Sequence, residues 1–283
     1  MTIEHISDTA RWVAVYRAME SERPDALFHD PFARRLAGEK GSEIVRTLKD
    51  GHSMAWAMIV RTQVFDEIIM AEIASDRIDL VLNLAAGLDA RPWRLELPSS
   101  LRWVDVDLPE ILRYKLETLG DAKPKCTYEA VEADLTDAAA RRALFARLGA
   151  ESIRVLVVTE GLLVYLSDAE VGALASDLHA IPSFARWVID LANPRLLKMM
   201  SKSWGAAVAS GNAPFKFAPA NGTNFFRDFG WDERAFYSTM EEAERLDREM
   251  KMMWLWKFLS RFYSERLREE VRRMSGIAVL ERV

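Results

Sequence analysis

Short apolar runs that end in a glycine or an acidic residue recur along this chain from Ile78 onward, about 25–30 residues apart. The runs are IDLVLNLAAG, LRWVDVDLP, CTYEAVEADL, RVLVVTEG and ARWVIDLANP. Nearly continuous apolar runs are typical of parallel strands that are buried on both faces. Helical stretches such as PEILRYKLETLG and DAAARRALFARLG fill the gaps. Because strands alternate with helices, the sequence predicts an α/β fold with a doubly wound, mostly parallel sheet.

The rest of the chain predicts helices around this sheet. Residues 8–75 carry apolar side chains at three- and four-residue spacing, which predicts a helical N-terminal cap over residues 1–75. The sheet domain then spans residues 76–283, with a helical insertion at about 196–275 that includes one long helix from Met240 to Met274. The final IAVLERV is interpreted as a closing strand. We expect the cap and the insertion to cover the carboxyl ends of the strands, where ligands bind in such sheets.

Composition excludes several classes of protein. The 38 basic and 43 acidic residues give a net charge of −5, which disfavours a nucleic-acid partner. Cys126 is the single cysteine, so no internal disulfide is possible, and none of the four histidines has a metal-ligand neighbour, so no metal is expected. MTIEHISDTARW is unlike a signal peptide, and no apolar stretch approaches the roughly 20 residues of a membrane span. The expectation is a cytoplasmic protein without a membrane partner.

The end of the first strand, NLAAGLDARP, discriminates between cofactors. Gly87 suits a turn where a ligand approaches the backbone. A dinucleotide site would show Gly-x-Gly-x-x-Gly here, but Asp89 places a carboxylate where a pyrophosphate would rest. S-adenosylmethionine has an ammonium and a sulfonium and no phosphate, so it fits this turn. Ordinary strand-to-helix turns also use glycine and aspartate, which leaves a purely structural role open.

The next two strands also end in acidic residues. Asp107 lies twenty positions after Gly87, the offset of the acidic residue that binds ribose hydroxyls in nucleotide-binding sheets. Asp105 is the alternative, and either residue at such a place can simply cap a helix. After the third strand, Asp134 is a candidate acceptor for the adenine amino group and Leu135 a packing partner for the ring. A cap for the helix near Asp137 is the alternative role of Asp134.

The fourth strand ends in TEGLLVYL. A carboxylate at the end of a buried apolar strand is costly unless it has a partner, and a cationic methionine group would be a suitable partner for Glu160. Tyr165 follows one short turn later. It either presents its hydroxyl to a substrate or is a core ring with a solvated hydroxyl.

Taken together, these motifs resemble the leucine carboxyl methyltransferase family. The matching elements are SDTARWVAVYRAMES, FHDPFA, RTQVFDEI, VLNLAAGLDARPWRL, VDVDLPEIL, ADL and EGLLVYL, in the family's order over roughly residues 5–195, with FGWD near 229–232. The family includes protein phosphatase carboxyl methyltransferases and bacterial O-methyltransferases of small molecules. The resemblance implies a seven-stranded, Rossmann-like class I methyltransferase that uses S-adenosylmethionine.

The resemblance also implies roles for single residues. Arg61 would hold the methionine carboxylate of the cofactor, and Glu160 would bind its ammonium. Gly87 and Asp89 would belong to the glycine turn of the cofactor site. Asp107 would bind the ribose, and Asp134 and Leu135 would contact the adenine. Tyr165 would lie near the acceptor. An alternative for Arg61 is a plain ion pair with Asp66. Arg17 is a weaker candidate for steering an anionic acceptor, with a solvated arginine as its alternative. Two residues depart from the family pattern, Ala85 in place of a glycine and Asp105 in place of a glutamate.

The function that follows is methyl transfer to an oxygen of a small molecule, either a carboxylate or a hydroxyl. A carboxylate is already ionised near pH 7 and needs no general base. The aromatic residues Trp254, Trp256, Phe258, Phe262 and Tyr263 would line an acceptor pocket or form plain core. Trp204 and the loop at 212–224 are placed where acceptor selection is expected. The competing interpretations are a nicotinamide-dependent oxidoreductase and a non-catalytic scaffold that binds the cofactor.

Overall fold

The computed structural model describes residues 7–47, 54–210, 214–250, 253 and 263–283. These residues form a seven-stranded sheet from β1 (Leu80–Leu84), β2 (Arg102–Asp107), β3 (Thr127–Glu132), β4 (Val155–Thr159), β5 (Phe184–Ala192), β6 (Trp231–Ser238) and β7 (Ser275–Arg282). The strand order is β3-β2-β1-β4-β5-β7-β6. β1 to β5 are parallel, and β7 runs antiparallel between β5 and β6. The predicted doubly wound, mostly parallel sheet is therefore confirmed.

Helices cover both faces of this sheet and its carboxyl edge. They are α1 (Ser7–Ser21), α2 (Ala33–Thr47), α3 (Ala55–Ser75), α4 (Arg91–Arg94), α5 (Pro109–Leu119), α6 (Ala138–Ala150), α7 (Asp168–His179), α8 (Pro194–Ser210), α9 (Thr239–Arg245) and α10 (Glu265–Arg272). Short 3₁₀ segments at Leu163–Tyr165 and Gly222–Phe229 connect them.

The buried central strands explain why the sheet needs cover on both faces. Every residue of β1 and of β4 is buried. Side chains alternate across a strand, so the two faces of β1 and β4 feed two separate apolar clusters. One cluster includes α6 and α7, and the other includes α3. A third cluster joins α1, α2 and the start of α3 to the region after β1.

The structure differs from the predicted helical insertion at 196–275 in two places. Trp231–Ser238 forms the edge strand β6, whose residues 232–234 (DER) interrupt the apolar pattern. Charged residues are common on edge strands because one side of such a strand faces solvent. The predicted long helix stops at Arg245, because Asp247 adopts a positive φ of 51° and Arg248 turns back to the buried Glu20 of α1.

Candidate active site

A cavity of about 1070 Å³ lies at the carboxyl ends of β1, β2, β4 and β5, with further walls from α1, α3 and α8. The strand order reverses between β1 and β4 at this point. Open α/β sheets bind their ligands at such a reversal. Nine of the residues singled out from the sequence line the cavity: Arg17, Arg61, Gly87, Asp89, Asp107, Asp134, Leu135, Glu160 and Tyr165.

The turn after β1 is held in a strained conformation. Gly87 has a φ of 52°, and a Cβ atom on it would lie 3.2 Å from the Ala10 side chain. Glycine is therefore favoured here both by conformation and by space. Ala85, the departure from the family pattern, also has a positive φ of 53°. A residue with a Cβ atom in this left-handed conformation lowers the stability of the fold by about 1–2 kcal/mol relative to glycine.

The two aspartates of β2 have different roles. Asp107 faces the cavity, where its Oδ2 accepts the Gly87 N–H at 2.6 Å and its Oδ1 accepts the Leu108 N–H at 2.7 Å. Asp105 is fully buried. It accepts hydrogen bonds from Asn83, Trp103, Lys115 and Tyr128. Asp105 therefore belongs to the core, and Asp107 is the one of the two that a ligand can reach.

Asp89 is fixed by the arginine that follows it. Its Oδ1 accepts the backbone N–H of Arg91 at 2.8 Å, and its Oδ2 lies 2.8 Å from Arg91 Nη1. Arg91 Nη1 also lies 2.8 Å from Glu160 Oε2, and its Nε donates to Asp66 at 2.6 Å. The side chain of Arg91 is 3% exposed, so this one guanidinium joins the ends of β1 and β4 out of solvent.

Arg61 of α3 continues this network on its other side. Its Nε donates to Glu160 Oε1 at 3.0 Å and its Nη1 to Asp190 Oδ2 at 3.1 Å. The Gly161 N–H donates to Asp190 Oδ1 at 2.8 Å. Gly161 has a φ of 69°, and a Cβ atom there would lie 3.2 Å from Arg61 Nη1. The sequence left open a plain ion pair between Arg61 and Asp66. Among the described contacts, Asp66 instead pairs with Arg91 and Arg94.

Burial and charge act against each other on these carboxyl groups. Burial alone would raise the pKa of Asp89, but the nearby Arg91 holds it well below its usual range. Burial and Arg91 act in the same opposed way on Glu160, whose pKa is also lowered. Burial prevails at Asp107 and Asp190, where it raises the pKa despite the N–H donors of Gly87 and Gly161. The site thus combines firmly ionised carboxylates with two that hold a proton more readily.

The residues after β3 lie at the open end of the cavity. Asp134 is exposed, and its Oδ1 accepts hydrogen bonds from the backbone and hydroxyl of Thr136, which lower its pKa. The cap of α6 is Asp137, which accepts the N–H groups of residues 139 and 140. Asp134 is therefore not the helix cap. Leu135 packs against the apolar cluster on that face of the sheet.

Tyr165 ends the short 3₁₀ segment after β4. Its ring packs on Phe215 with 5.7 Å between ring centroids, and its hydroxyl forms a hydrogen bond with Thr9 of α1. Burial raises the pKa of Tyr165, so the hydroxyl keeps its proton at neutral pH. The ring lines the cavity.

Arg17 is buried, although the sequence left a solvated side chain open. Its Nε donates to Asp30 at 2.9 Å and its Nη2 to the carbonyl of Leu88 at 2.6 Å. The first contact ties α1 to the segment that precedes α2, and the second ties it to the turn after β1. This arrangement supports a positioning role for Arg17, since its charge is already balanced by Asp30.

Sequence reasoning missed two members of the network, Arg91 and Asp190. Asp190 lies near the end of the apolar run ARWVIDLANP, which is the same signal that identified Glu160. Arg91 stands between Ala90 and Pro92 in the glycine turn motif, where nothing in the local pattern marks it as a buried ion-pair partner. Its role depends on Asp66 and Glu160, which are distant in sequence.

The donor set fits S-adenosylmethionine better than a phosphate-bearing cofactor. The central network has three carboxylates, Asp89, Glu160 and Asp190, against two guanidiniums, Arg61 and Arg91, a formal excess of one negative charge. Such an excess favours a cation. The adjacent Arg61 and Glu160, about 15% and 14% exposed, offer one charge of each sign to a zwitterionic amino acid. A pyrophosphate would instead meet Asp89 and Asp107.

Part of the predicted acceptor region lies outside the described residues. This applies to Trp254, Trp256, Phe258 and Phe262, to residues 211–213 and to the side chain of Trp204. Tyr263 is described and lines the cavity. In the described ranges, histidine, cysteine and acidic side chains form no group of three or more suited to a metal ion. No helix in those ranges has the length and apolar character that a bilayer span requires.

Comparison with known proteins finds relatives of this chain. The sequence model of the leucine carboxyl methyltransferase family matches residues 10–179. A protein of Parafrankia sp., provisionally named an S-adenosyl-L-methionine-dependent methyltransferase, is 37% identical over 184 residues, covering 61% of this chain and 58% of the relative. One of Mycobacterium marinum with the same provisional name is 34% identical over 190 residues, covering 62% of each. The matched region spans about three fifths of these relatives.

A solved structure shares the fold over nearly the whole chain. The crystal structure of a DUF574 family protein from Streptomyces avermitilis superposes with a TM-score of 0.62 at 15% identity, covering 97% of both chains. At this identity the likeness concerns the fold alone. It extends across β6 and β7, which lie beyond the region that the family model matches.

Proposed function

This chain belongs to the leucine carboxyl methyltransferase family, and from that membership we propose that it is an S-adenosylmethionine-dependent O-methyltransferase acting on a carboxylate or hydroxyl of a small molecule. The family and the names of the relatives indicate S-adenosylmethionine as the cofactor, and the sequence predicted the same cofactor. The observation that carries the proposal is the Arg61–Glu160 pair beside a cavity large enough for two ligands.

The chain's own residues divide the binding work. Arg61 would hold the carboxylate of the methionine moiety and Glu160 its ammonium, since the two side chains lie together and both reach the cavity. Asp107 would bind the ribose at the end of β2, beside the backbone of Gly87. Asp134 and Leu135 would contact the adenine at the open end.

When bound, this cofactor supplies an electrophilic methyl group on a positively charged sulfur. The protein's task is then to place an acceptor oxygen and to exclude water from it. Tyr165 packs on Phe215 and forms a hydrogen bond with Thr9, and in this proposal its ring and hydroxyl would contact the acceptor. Arg17 holds α1 against the turn after β1, which keeps this wall in place.

The identity of the acceptor oxygen decides whether a proton must move. A carboxylate is ionised near pH 7 and transfers no proton. A hydroxyl acceptor needs a base, and Asp190 is a candidate because burial raises its pKa and its carboxylate lines the cavity. Asp190 Oδ2 is shared with Arg61, so any proton that Asp190 accepts would weaken that ion pair.

Labelling with tritiated-methyl S-adenosylmethionine tests this proposal. The purified chain is incubated with that cofactor and a small-molecule extract of the source organism, and labelled products are separated from protein. Label that mild base releases as volatile methanol indicates a methyl ester, whereas base-stable label indicates an ether. If no small molecule becomes labelled above the level of boiled enzyme, the proposal fails.

A further inference from the structure

Methionine is a frequent residue in the apolar lining of this cavity. Among the described residues, eight methionines line the cavity, out of twelve in the chain. They are Met54, Met58, Met199, Met200, Met240, Met250, Met253 and Met274. They come from α3, α8, α9 and the segments on either side of α10, so this methionine wall is assembled from distant parts of the chain.

Three residues of the methionine wall lie near Tyr165. Met54, Met58 and Met200 pack in the same apolar cluster as Tyr165 and Phe215. Each of these three methionines is only partly buried, so part of its apolar surface faces the cavity. Apolar surface in this position lacks a protein partner, and an apolar ligand would remove it from water.

Most of the charged side chains that line the cavity are either ion-paired or exposed to solvent. The buried charged side chains that line the cavity are ion-paired, as Arg17 is with Asp30 and Arg91 with Asp89. Beyond them, Glu170, Arg195 and Lys216 also line the cavity, but they are exposed to solvent. Next to the methionines, Thr239 and Ser275 line the cavity, but their hydroxyls bond to each other. A polar acceptor body would therefore lose hydration against the methionine wall, at a cost of up to several kcal/mol for each polar group that finds no hydrogen-bond partner.

The volume of the cavity and the flexibility of the methionine side chains indicate what kind of acceptor fits. The cavity volume of about 1070 Å³ lies just above the roughly 300–1,000 Å³ that is usual for a ligand pocket. Methionine is unbranched and polarizable, so it adapts to irregular or flexible apolar partners better than branched side chains do. A wall of this kind suits a long or variable apolar group.

We propose that the methyl acceptor is an elongated, mainly apolar molecule with an alkyl or alkyl-aryl body, which lies along the methionine wall while its single reactive oxygen reaches Tyr165. This inference rests on the proposed methyltransferase function and specifies its substrate class. In the group transfer, the acceptor oxygen forms a bond to the methyl carbon as the sulfur–methyl bond breaks, and the electron pair of that bond remains on the resulting thioether. A hydroxyl acceptor also gives its proton to a base, for which Asp190 is the candidate, whereas a carboxylate acceptor has no proton to give.

Chain-length dependence of binding tests this substrate class independently of turnover. The whole chain is saturated with S-adenosylhomocysteine, and calorimetry measures the affinity of 4-ethylphenol against 4-octylphenol and of butanoate against dodecanoate, all below their micellar concentrations. In at least one of the two pairs, the longer probe should bind at least about tenfold more tightly, because each buried methylene adds to the affinity. Methyl transfer to the longer probe should show the same preference.

A matched pair of variants on α3 locates the effect. Met58 lines the cavity, whereas Met70, three turns later on the same helix, packs against the cluster on the sheet face. Met58→Gln should weaken binding of the longer probe about fivefold to tenfold and leave the shorter probe and S-adenosylhomocysteine unchanged. Met70→Gln should leave all three affinities at the wild-type level.

The outcomes separate this inference from the function on which it rests. If S-adenosylhomocysteine itself fails to bind, the proposed function is wrong. If it binds while neither probe pair shows a length preference, or while no long probe binds at all, the apolar substrate class is overturned. Equal losses for Met58→Gln and Met70→Gln would also overturn it, because the methionine wall would then have no special role.

Discussion

Arg61 and Glu160, 99 positions apart in the chain, form an ion pair with 3.0 Å between Nε and Oε1 at the carboxyl end of the sheet. Asp190 and Arg91 extend this pair on either side. Opposite charges placed side by side complement an amino acid that carries both an ammonium and a carboxylate.

Removing the guanidinium of Arg61 should weaken cofactor binding. Arg61→Ala removes the positive charge that pairs with Glu160 and Asp190. It also removes the partner proposed for the methionine carboxylate. Losing one partner of a buried charged pair costs about 2–5 kcal/mol, so the Kd for S-adenosylhomocysteine should rise at least about 30-fold. Calorimetry measures this. Arg245→Ala is the control, because Arg245 pairs with Glu67 on the exposed side of α3; equal Kd values for the two variants would contradict the assignment.

The two aspartates of β2 should separate binding from stability. Asp107→Asn should raise the Kd for S-adenosylhomocysteine about tenfold, since it removes a charged hydrogen-bond acceptor facing the cavity. Asp105→Asn leaves the fully buried Lys115 without its carboxylate and should lower the free energy of unfolding by about 3–5 kcal/mol. Calorimetry and urea denaturation measure the two effects. A large stability loss in Asp107→Asn with unchanged affinity would reverse the roles of these residues.

The lowered pKa of Asp89 predicts a pH dependence of stability. A carboxyl group whose folded pKa lies below its unfolded value stabilises the fold fully above the unfolded pKa, about 3.9, and loses that contribution as the pH falls through the folded pKa. The difference in unfolding free energy between wild type and Asp89→Asn should therefore be constant from pH 5 to 7 and shrink below about pH 4. Denaturation at several pH values measures it.

A control is available at the end of β3. Glu132 is exposed, and Glu132→Gln should change stability by less than about 0.5 kcal/mol. A difference between wild type and Asp89→Asn that grows as the pH falls would mean that Asp89 is not held ionised by Arg91.

Replacing the hydroxyl of Tyr165 should affect the acceptor and leave the cofactor alone. Tyr165→Phe keeps the ring that packs on Phe215 but removes the group bonded to Thr9. With the acceptor found by labelling, kcat/KM should fall at least about tenfold, while the Kd for S-adenosylhomocysteine stays within about twofold. Tyr114→Phe is the control, since its hydroxyl donates to the Leu36 carbonyl away from the cavity. Wild-type kcat/KM in Tyr165→Phe would remove Tyr165 from the acceptor site.

The sheet and the strand-end carboxylates follow from local sequence. Buried parallel strands need continuous apolar residues, so β1, β2, β4 and β5 are visible as runs, and a charged residue at the end of such a run indicates a binding edge. Both signals depend on near neighbours in the chain. Asp190 also lies near the end of such a run, so the pattern that identified Glu160 predicts it as well.

The remaining features depend on contacts between distant residues. β6 carries charges because it lies at the sheet edge, and this position is set by its pairing with β7 about forty residues later. The predicted long helix ends early because Arg248 binds Glu20, which lies 228 positions away. Arg91 and Arg17 likewise owe their roles to partners in other elements. Local periodicity carries no information on any of these pairings.

Calorimetric titration of the purified chain with S-adenosylmethionine, compared with NADH under the same conditions, tests the central claim most directly. The carboxylate-rich network around the Arg61–Glu160 pair predicts a Kd for S-adenosylmethionine on the order of 1–100 μM, a usual range for enzyme ligands, and binding of NADH at least about 100-fold weaker. Tight binding of NADH with no measurable heat from S-adenosylmethionine would contradict the account.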